Sequence, residues 1–301
     1  MSSRVKSKSF WKLSVVTVPE ADEAIVALCE DVFRQPAVSY TNVETGTVTI
    51  SVYLPERPRH SRAAFQQGLA RIRRCGLKTG TGRIVVRKLS RRDWAESWKR
   101  HFRPIEIGTA LLIKPGWSKR RAREGEAAVV LDPGLSFGTG QHPTTAFCLK
   151  QLVAFRDLSR QQSFLDIGTG SGILAIAAAK LGYFVVEAFD SDREAVRIAR
   201  ANARRNRVLT KMRLYRADLT QRPERSARSC DLVCANLNSS LLLSEQGRIL
   251  GRLKSGGVLV LAGILKDEFP RVVRAYRRAG LELVASRTQR EWRSGAFRGA
   301  R

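Results

Sequence analysis

The sequence predicts an α/β protein in which a small α+β domain precedes a doubly wound, mostly parallel sheet. Two patterns indicate this fold class. Residues 1–90 show strand and helix signals in the order strand–helix–strand–strand–helix–strand. From residue 127 onward, short apolar strands alternate with amphipathic helices, which is typical of a parallel sheet built from βα units. We therefore predict domains at 1–90 and 127–301, joined by a connector at 91–126.

The first domain is predicted to be a ferredoxin-like module. Its expected elements are strand 11–18, helix Ala21–Phe33, strands Ala37–Val43 and Thr47–Leu54 around the turn Glu44–Gly46, the basic amphipathic helix Ser61–Cys75, and strand Arg83–Leu89. This order is the split βαβ pattern. It contains no catalytic constellation, so we interpret it as a substrate-recognition domain.

The connector is predicted to begin with a helix over Asp93–Phe102. Trp94 and Trp98 lie four residues apart on one face of it, where they would fix the helix against a domain. Pro104 would end the helix, and Ile107–Ile113 is expected to continue in extended form.

The elements of the second domain follow from the same alternation. Strands are expected at 127–131, 164–168, 184–190, 212–218, 231–236, 257–263, and near 281–287 and 292–298. Helices are expected at Pro143–Phe155, Gly172–Leu181, Arg193–Arg205, Leu241–Leu253 and Lys266–Ala279. Because ligands of such sheets bind beyond the carboxyl ends of the strands, the residues just after each strand are the candidate site.

The charge of the chain favours polyanionic partners, nucleic acid first and anionic membrane surface second. The 54 Lys and Arg residues exceed the 27 Asp and Glu residues, giving a formal charge of +27. The excess is spread over both domains, and 41 of the basic residues are Arg, so an Arg-rich genome is an alternative explanation.

Several classes of protein are not supported. The segment Met1–Lys12 is basic without the apolar core of a secretion signal, and the apolar stretches Ile173–Ala179 and Val258–Leu265 are shorter than the roughly 20 residues of a membrane span. Five Cys without paired spacing and three His do not support a metal site. We expect a cytoplasmic protein with reduced thiols.

A glycine-rich turn, Asp166-Ile-Gly168-Thr-Gly170-Ser-Gly172, follows the first strand of the predicted parallel sheet. Such turns let a ligand approach backbone that a Cβ would block. The third Gly comes one residue earlier than in the dinucleotide signature, and an acidic residue precedes the first Gly by two. This arrangement suits a ligand with an ammonium and a sulfonium group, so it indicates S-adenosylmethionine.

The ends of the next strands carry further candidates. Asp190 could accept hydrogen bonds from both ribose hydroxyls of the cofactor. Asp218 lies where it could meet the adenine amino group, although it could equally cap a helix. Asn236 follows the fourth strand without the Pro-Pro-aromatic sequence typical of enzymes that methylate planar amides or bases, which favours an aliphatic amine as methyl acceptor.

A loop at residues 131–145, LDPGLSFGTGQHPTT, completes the candidate site. His142 precedes Pro143, a residue suited to the first turn of a helix. The hydroxyls of Thr144 and Thr145 lie at the start of that helix, where they could meet the carboxylate end of the cofactor.

This loop, followed by DIGTGSGILAIAAAKLG, closely resembles the PrmA family, the methyltransferases of ribosomal protein L11. DWAESWKRHFRPIEIG and LLIKPGW resemble the connector of that family, and RSGAFR after Trp292 is similar to its closing strand. The order of strands and helices before residue 90 is similar to its substrate-recognition domain. The resemblance thus covers nearly the whole chain and is strongest at 93–190.

The resemblance implies a Rossmann-like S-adenosylmethionine-dependent methyltransferase that modifies lysine and/or N-terminal amines of ribosomal protein L11, free or on the large subunit. The basic charge of the chain also allows a nonspecific contact of its surface with ribosomal RNA. The cofactor contacts that the resemblance implies are Thr145, Gly168, Asp190 and Asn236, with Phe137, Gly170 and His142 close by. Asn236 would also position the amine, and no general base is assigned.

The sequence departs from the family pattern at two positions, and three other functions stay open. Thr169 stands where the family has a Cys or similar small residue. The chain reads Asn236-Leu237-Asn238 where the family reads Asn-Ile-Leu, so Asn238 is polar at an apolar position of the family. The alternatives are an RNA methyltransferase, a lysine methyltransferase for another protein such as the electron-transfer flavoprotein β subunit, and a nonenzymatic basic binding module.

Overall fold

The computed structural model describes residues 10–35, 37–42, 45–58, 61–89, 104–131 and 142–299. The chain divides into two compact units, residues 1–101 and 102–301. The predicted helix Asp93–Phe102, with its two Trp residues, lies outside the described residues. The domain limits at 90 and 126 stay predictions.

The first unit is a four-stranded antiparallel sheet with two helices. Its elements are β1 (Phe10–Thr17), α1 (Asp22–Phe33), β2 (Ala37–Asn42), β3 (Thr47–Leu54), α2 (Ser61–Arg74) and β4 (Arg83–Leu89). The strand order β2–β3–β1–β4 confirms the predicted ferredoxin-like arrangement. Alternate residues of the two central strands, among them Val15 and Ile50, meet Ile25 and Phe65 of the helices in a core of their own.

The second unit contains the remaining elements in βα alternation. They are β5 (Ile105–Ile107), β6 (Leu111–Lys114), β7 (Ala127–Val130), α3 (Pro143–Ala154), β8 (Ser163–Ile167), α4 (Ile173–Leu181), β9 (Val185–Asp190), α5 (Arg193–Arg205), β10 (Met212–Arg216), β11 (Cys230–Asn236), α6 (Ser239–Ser244), α7 (Gln246–Leu250), β12 (Leu253–Leu265), α8 (Phe269–Arg278), β13 (Leu281–Gln289) and β14 (Trp292–Gly299).

The large sheet of this unit has the order β10–β9–β8–β11–β12–β14–β13. The first five strands run parallel, and β14 is antiparallel to both of its neighbours. One core covers each face of the sheet: helices α3, α4 and α5 pack on one face, and α6, α7 and α8 on the other. The predicted doubly wound, mostly parallel sheet is therefore confirmed.

The segment 105–130 forms a separate small sheet instead of one extended run. Strands β5 and β6 make an antiparallel hairpin, and β6 pairs in parallel with β7. Gly108, whose φ is +56°, permits the tight turn between the two short strands.

The predicted helix Leu241–Leu253 is in fact two short helices, α6 and α7. The side chain of Asn238 accepts a hydrogen bond from the N–H of Leu241 and so starts α6 earlier than predicted. Glu245 leaves helical geometry between the two helices, and Gly251 ends α7 where the chain passes the carbonyl of Glu224. Leu253 already belongs to β12, because its pairing with Cys230 of β11 outweighs its helical propensity.

Within the described ranges, every helix is too short or too polar to cross a membrane. All five cysteines are free. The same ranges contain no group of three or more His, Cys, Asp or Glu side chains that could hold a metal ion.

Candidate cofactor and substrate site

The glycine-rich turn lies at the carboxyl end of β8, in the centre of the large sheet. Gly168, Gly170 and Gly172 have φ values of +73°, +54° and +81°, a region that residues with a Cβ rarely adopt. The backbone N–H groups of Gly168 and Thr169 both donate to the carbonyl of Phe189, each at 3.0 Å. The neighbouring strand β9 therefore holds the turn in this shape.

Asp190 ends β9 and faces the glycine turn. Its Oδ2 accepts the N–H of Gly170 at 2.9 Å, and its Oδ1 accepts the N–H of Asp192 at 3.0 Å. A carboxylate offers about four acceptor positions. Each oxygen can therefore accept one more hydrogen bond, which is what a pair of ribose hydroxyls requires.

A cavity of about 220 Å³ opens between the glycine turn and the ends of β9 and β10. Its lining combines polar groups with apolar side chains and comprises Ile167, Gly168, Gly170, Phe189, Asp190, Ser191, Ala217, Asp218, Leu219, Leu237 and Leu241. A Cβ on Gly168 would lie 2.6 Å from Leu237 Cδ2, so a larger residue would fill the approach. The cavity suits a flat apolar base with a polar sugar at its edge.

Asp166, the acidic residue that begins the glycine motif, is fully buried beneath the turn. Burial raises the pKa of its carboxyl to about 7, although a hydrogen bond from the Thr169 hydroxyl, 2.6 Å from Oδ2, opposes this rise. A cationic ligand group above the turn would favour the charged form.

The first turn of α3 supplies a second polar group. The Thr145 hydroxyl is buried and has no hydrogen-bond partner among the residues that the structure describes. Beside it, the Thr144 hydroxyl lies 2.7 Å from Nδ1 of His142, whose ring meets the Trp292 ring at a centroid distance of 5.1 Å. Burial lowers the pKa of this imidazole, Glu291 opposes the effect, and Arg290 adds to it.

Asn236 ends β11 and is half-buried. β12 passes close to it, because a Cβ at Gly263 would lie 3.1 Å from Asn236 Oδ1 and 2.6 Å from the carbonyl of Leu237. Gly263, with φ +81°, lies where the register of β12 with β14 shifts. Asn238 is the cap of α6, so its departure from the family pattern has a local structural cause.

The structure thus places the predicted residues in two groups. Gly168, Gly170 and Asp190 line one cavity, whereas Thr145, His142 and Asn236 are not among its lining residues. Phe137 lies outside the described residues. Asp218 lines the cavity and also caps the turn that follows it. The two predicted roles of this residue, contact with adenine and capping, are therefore compatible.

Two residues that shape the candidate site were not predicted from the sequence: Leu237, which lines the cavity, and Gly263, which lies against Asn236. The signal for Gly263 was a glycine inside a strongly apolar strand, which often marks a bulge or a close backbone approach. Leu237 gave no such signal, since an apolar residue after a buried strand is ordinary.

These residues fit S-adenosylmethionine. The glycine turn leaves room for a ligand, the Asp190 carboxylate has free acceptor positions, and the buried Thr145 hydroxyl lacks a partner within the described part of the chain. The fold and this site define an S-adenosylmethionine-dependent methyltransferase.

Comparison with known proteins gives the family. A sequence model described as "Ribosomal protein L11 methyltransferase (PrmA)" matches residues 8–298. The chain therefore belongs to the PrmA family.

Individual relatives agree with this assignment. The ribosomal protein L11 methyltransferase of Streptococcus equi subsp. zooepidemicus is 31% identical over 317 residues, covering 97% of this chain and 96% of its own. That of Trichlorobacter lovleyi is 40% identical over 217 residues, covering 71% and 70%. A crystal structure of ribosomal protein L11 methylase from Lactobacillus delbrueckii subsp. bulgaricus superposes with a TM-score of 0.59 at 26% identity, covering 66% of this chain and all of that one.

Proposed function

We propose that this chain transfers methyl groups to lysine ε-amines and/or the N-terminal α-amine of ribosomal protein L11 in the cytoplasm. The observation that carries the proposal is the extent of the family match. It runs from residue 8 to residue 298 and so includes the ferredoxin-like domain as well as the catalytic one. A catalytic half alone would support only methyl transfer, whereas a shared first domain supports a shared protein substrate.

The chemistry is a displacement at carbon. When bound, the cofactor supplies an electrophilic methyl group on a sulfonium. The substrate ammonium would first lose a proton to solvent, so no general base is assigned in the site. The free amine could then attack the methyl carbon, forming the N–C bond as the C–S bond breaks and its electron pair remains on sulfur. Alignment of the two reactants supplies most of the rate.

The residues of this chain would hold and orient the two reactants. Asp190 would accept the ribose hydroxyls, the turn at Gly168 and Gly170 would leave space for the cofactor, and Thr145 would donate to its carboxylate. Asn236 would offer a carbonyl oxygen to the incoming amine. Asn236 is followed by Leu237 and Asn238 instead of Pro-Pro-aromatic, which supports a flexible amine over a planar base.

The test is transfer of label from methyl-labelled cofactor. The full chain is incubated separately with L11, ribosomal RNA and the electron-transfer flavoprotein β subunit, and mass spectrometry locates the methyl groups. We expect label in L11 on lysine, on the N-terminus or on both, and any N-terminal label should be absent from L11 acetylated at that position. Label in RNA alone, or in the flavoprotein subunit alone, would reject the proposal.

The proposed partners of this chain are L11, free or on the large subunit, and ribosomal RNA through a nonspecific contact. This part of the proposal is supported by the formal charge of +27.

A further inference from the structure

Two segments of the second unit are strongly basic: residues 271–301, with nine basic and two acidic side chains, and residues 193–228, which surround one edge of the large sheet. Residues 193–228 contain twelve basic and three acidic side chains, so these 36 residues carry a third of the net charge of the chain. This segment surrounds β10, which is an edge strand of the sheet.

One face of this edge carries an arginine cleft on α5. Arg193, Arg197, Arg200 and Arg204 follow one another at intervals of four, three and four residues, so they share the exposed face of the helix over about 16 Å. Together with Arg216 of β10 they line a cavity of about 730 Å³. Glu194 pairs with Arg197 and leaves the other arginines of the cleft without a carboxylate partner among the described residues.

The opposite face of β10 carries a second cleft, of about 260 Å³. The guanidinium groups of Arg213 and Arg222 lie over the Tyr215 ring at 5.0 and 5.8 Å from its centroid. Glu187 is the one carboxylate of this cleft and contacts both Arg213 and Arg228, at 3.7 and 3.4 Å. Arg222 Nε is buried and has no hydrogen-bond partner within the described ranges.

The arrangement favours an extended polyanion. Guanidinium groups occupy both sides of one strand, which is more than a small anion could contact. Two of them lie over the Tyr215 ring, and a guanidinium offers paired N–H donors that match phosphate. The large exposed apolar residues of the described chain all lie outside 193–228, so this surface lacks the anchors that insertion into a membrane uses.

We propose that this surface binds the sugar-phosphate backbone of RNA. We call it the β10 edge and define it by Arg200, Arg204, Arg213, Arg216, Arg222 and Arg228. It would hold the enzyme on RNA that surrounds its protein substrate, and in this respect the inference rests on the proposed function. Binding through phosphates predicts little sequence preference and strong dependence on salt.

The test compares two triple variants of the full chain. The first is Arg204→Gln, Arg213→Gln and Arg228→Gln, whose side chains do not line the cofactor cavity. The control is Arg274→Gln, Arg277→Gln and Arg278→Gln on α8, which removes the same charge from exposed positions beside β13, at the opposite edge of the sheet. Binding of a fluorescent RNA hairpin is followed by anisotropy from 50 to 200 mM salt.

We expect the first variant to lose about tenfold or more in RNA affinity and about one unit of salt slope for each phosphate contact removed. The control should change affinity less than twofold. Equal losses in both variants, or no RNA binding by the parent chain, would overturn the proposal. Competition by polyglutamate as effective as that by unlabelled RNA would instead identify an acidic protein as the partner.

Two further measurements separate this inference from the proposed function. Thermal unfolding and cofactor titration show that the variants are folded. Methylation of free L11 should be unchanged in the first variant, so loss of RNA binding with retained methyl transfer would support both proposals. RNA binding without any methylation of L11 would reject the proposed function alone.

Discussion

Asp190 and Asp192 are two residues apart, and the structure gives them different roles. Asp190 accepts backbone N–H groups from the glycine turn and from Asp192, and it lines the candidate cofactor cavity. Asp192 caps α5 by accepting the N–H of Glu194 at 2.8 Å. The two carboxylates therefore differ in their contacts: Asp190 faces the glycine turn and the cavity, and Asp192 caps a helix.

We predict that Asp190→Ala lowers affinity for S-adenosylmethionine by roughly 10- to 100-fold, because up to two hydrogen bonds to a charged acceptor are lost. Asp192→Ala should leave affinity unchanged and lower the free energy of unfolding by about 1 kcal/mol. Calorimetric titration and urea denaturation measure the two effects. Equal affinities in the Asp190 variant and the parent would remove Asp190 from the ribose site.

The buried carboxyl of Asp166 predicts a pH dependence of stability in the cofactor-free protein. Its pKa is raised to about 7, above the ordinary value of 3.8, so the folded state binds more protons between about pH 4 and pH 7. Its contribution to the free energy of unfolding therefore falls as pH rises through that window and stays low above it.

Asp166→Asn should flatten this dependence and stabilise the cofactor-free protein at pH 8 by up to about 4 kcal/mol. Melting temperatures at pH 4.5 to 8 provide the measurement. Thr169→Val is the control, since it removes the hydrogen bond to Asp166 but keeps the ionisable group. If the melting temperature of the Asn variant fell with pH as steeply as that of the parent, Asp166 would not be the group responsible for the pH dependence.

At the scale of elements, α4 is enclosed by two glycines in the left-handed region. Gly172 precedes the helix with φ +81°, and Gly182 follows it with φ +92°. A Cβ at Gly172 would lie 2.9 Å from the Cβ and 3.2 Å from the Cα of Ala199 in α5, whereas one at Gly182 would meet only the far end of Arg156 at 3.7 Å. Both positions thus require a residue that tolerates positive φ. Only at Gly172, the N-terminal end of α4, does close packing against α5 exclude a side chain as well.

We predict that Gly182→Ala lowers the free energy of unfolding by about 1 kcal/mol, from backbone strain alone. Gly172→Ala should cost about 3 kcal/mol, because strain and overlap with α5 add. Urea denaturation of the two variants gives the difference. Similar losses would show that the helices separate without cost and that the contact with Ala199 is unimportant.

At the scale of the whole molecule, the two units have separate cores. The core of the first unit is built from residues between 11 and 86, and the cores of the second from residues between 105 and 297. The glycine turn, Asp190, Thr145 and Asn236 all belong to the second unit. Cofactor binding and recognition of the protein substrate are therefore expected to be separable.

We predict that residues 102–301 expressed alone bind S-adenosylmethionine within threefold of the affinity of the full chain and methylate L11 at least 100-fold more slowly. The physical reason is that the fragment keeps the whole sheet but lacks the proposed recognition domain. Calorimetry and a methyl-transfer assay test the two parts. A fragment that methylates L11 as fast as the full chain would show that residues 1–101 are dispensable for recognition.

The sequence by itself determined the fold class, the order of elements in the first unit and in most of the large sheet, the glycine turn and the strand-end positions of Asp190 and Asn236. These features depend on local periodicity and on residues with special backbone freedom, which a linear pattern records directly. The tertiary structure alone decided that Leu253 joins a strand, that Gly263 brings β12 against Asn236, and that the arginines of residues 193–228 lie on both faces of one edge strand. Those outcomes depend on burial and on contacts between distant segments, which no local pattern contains.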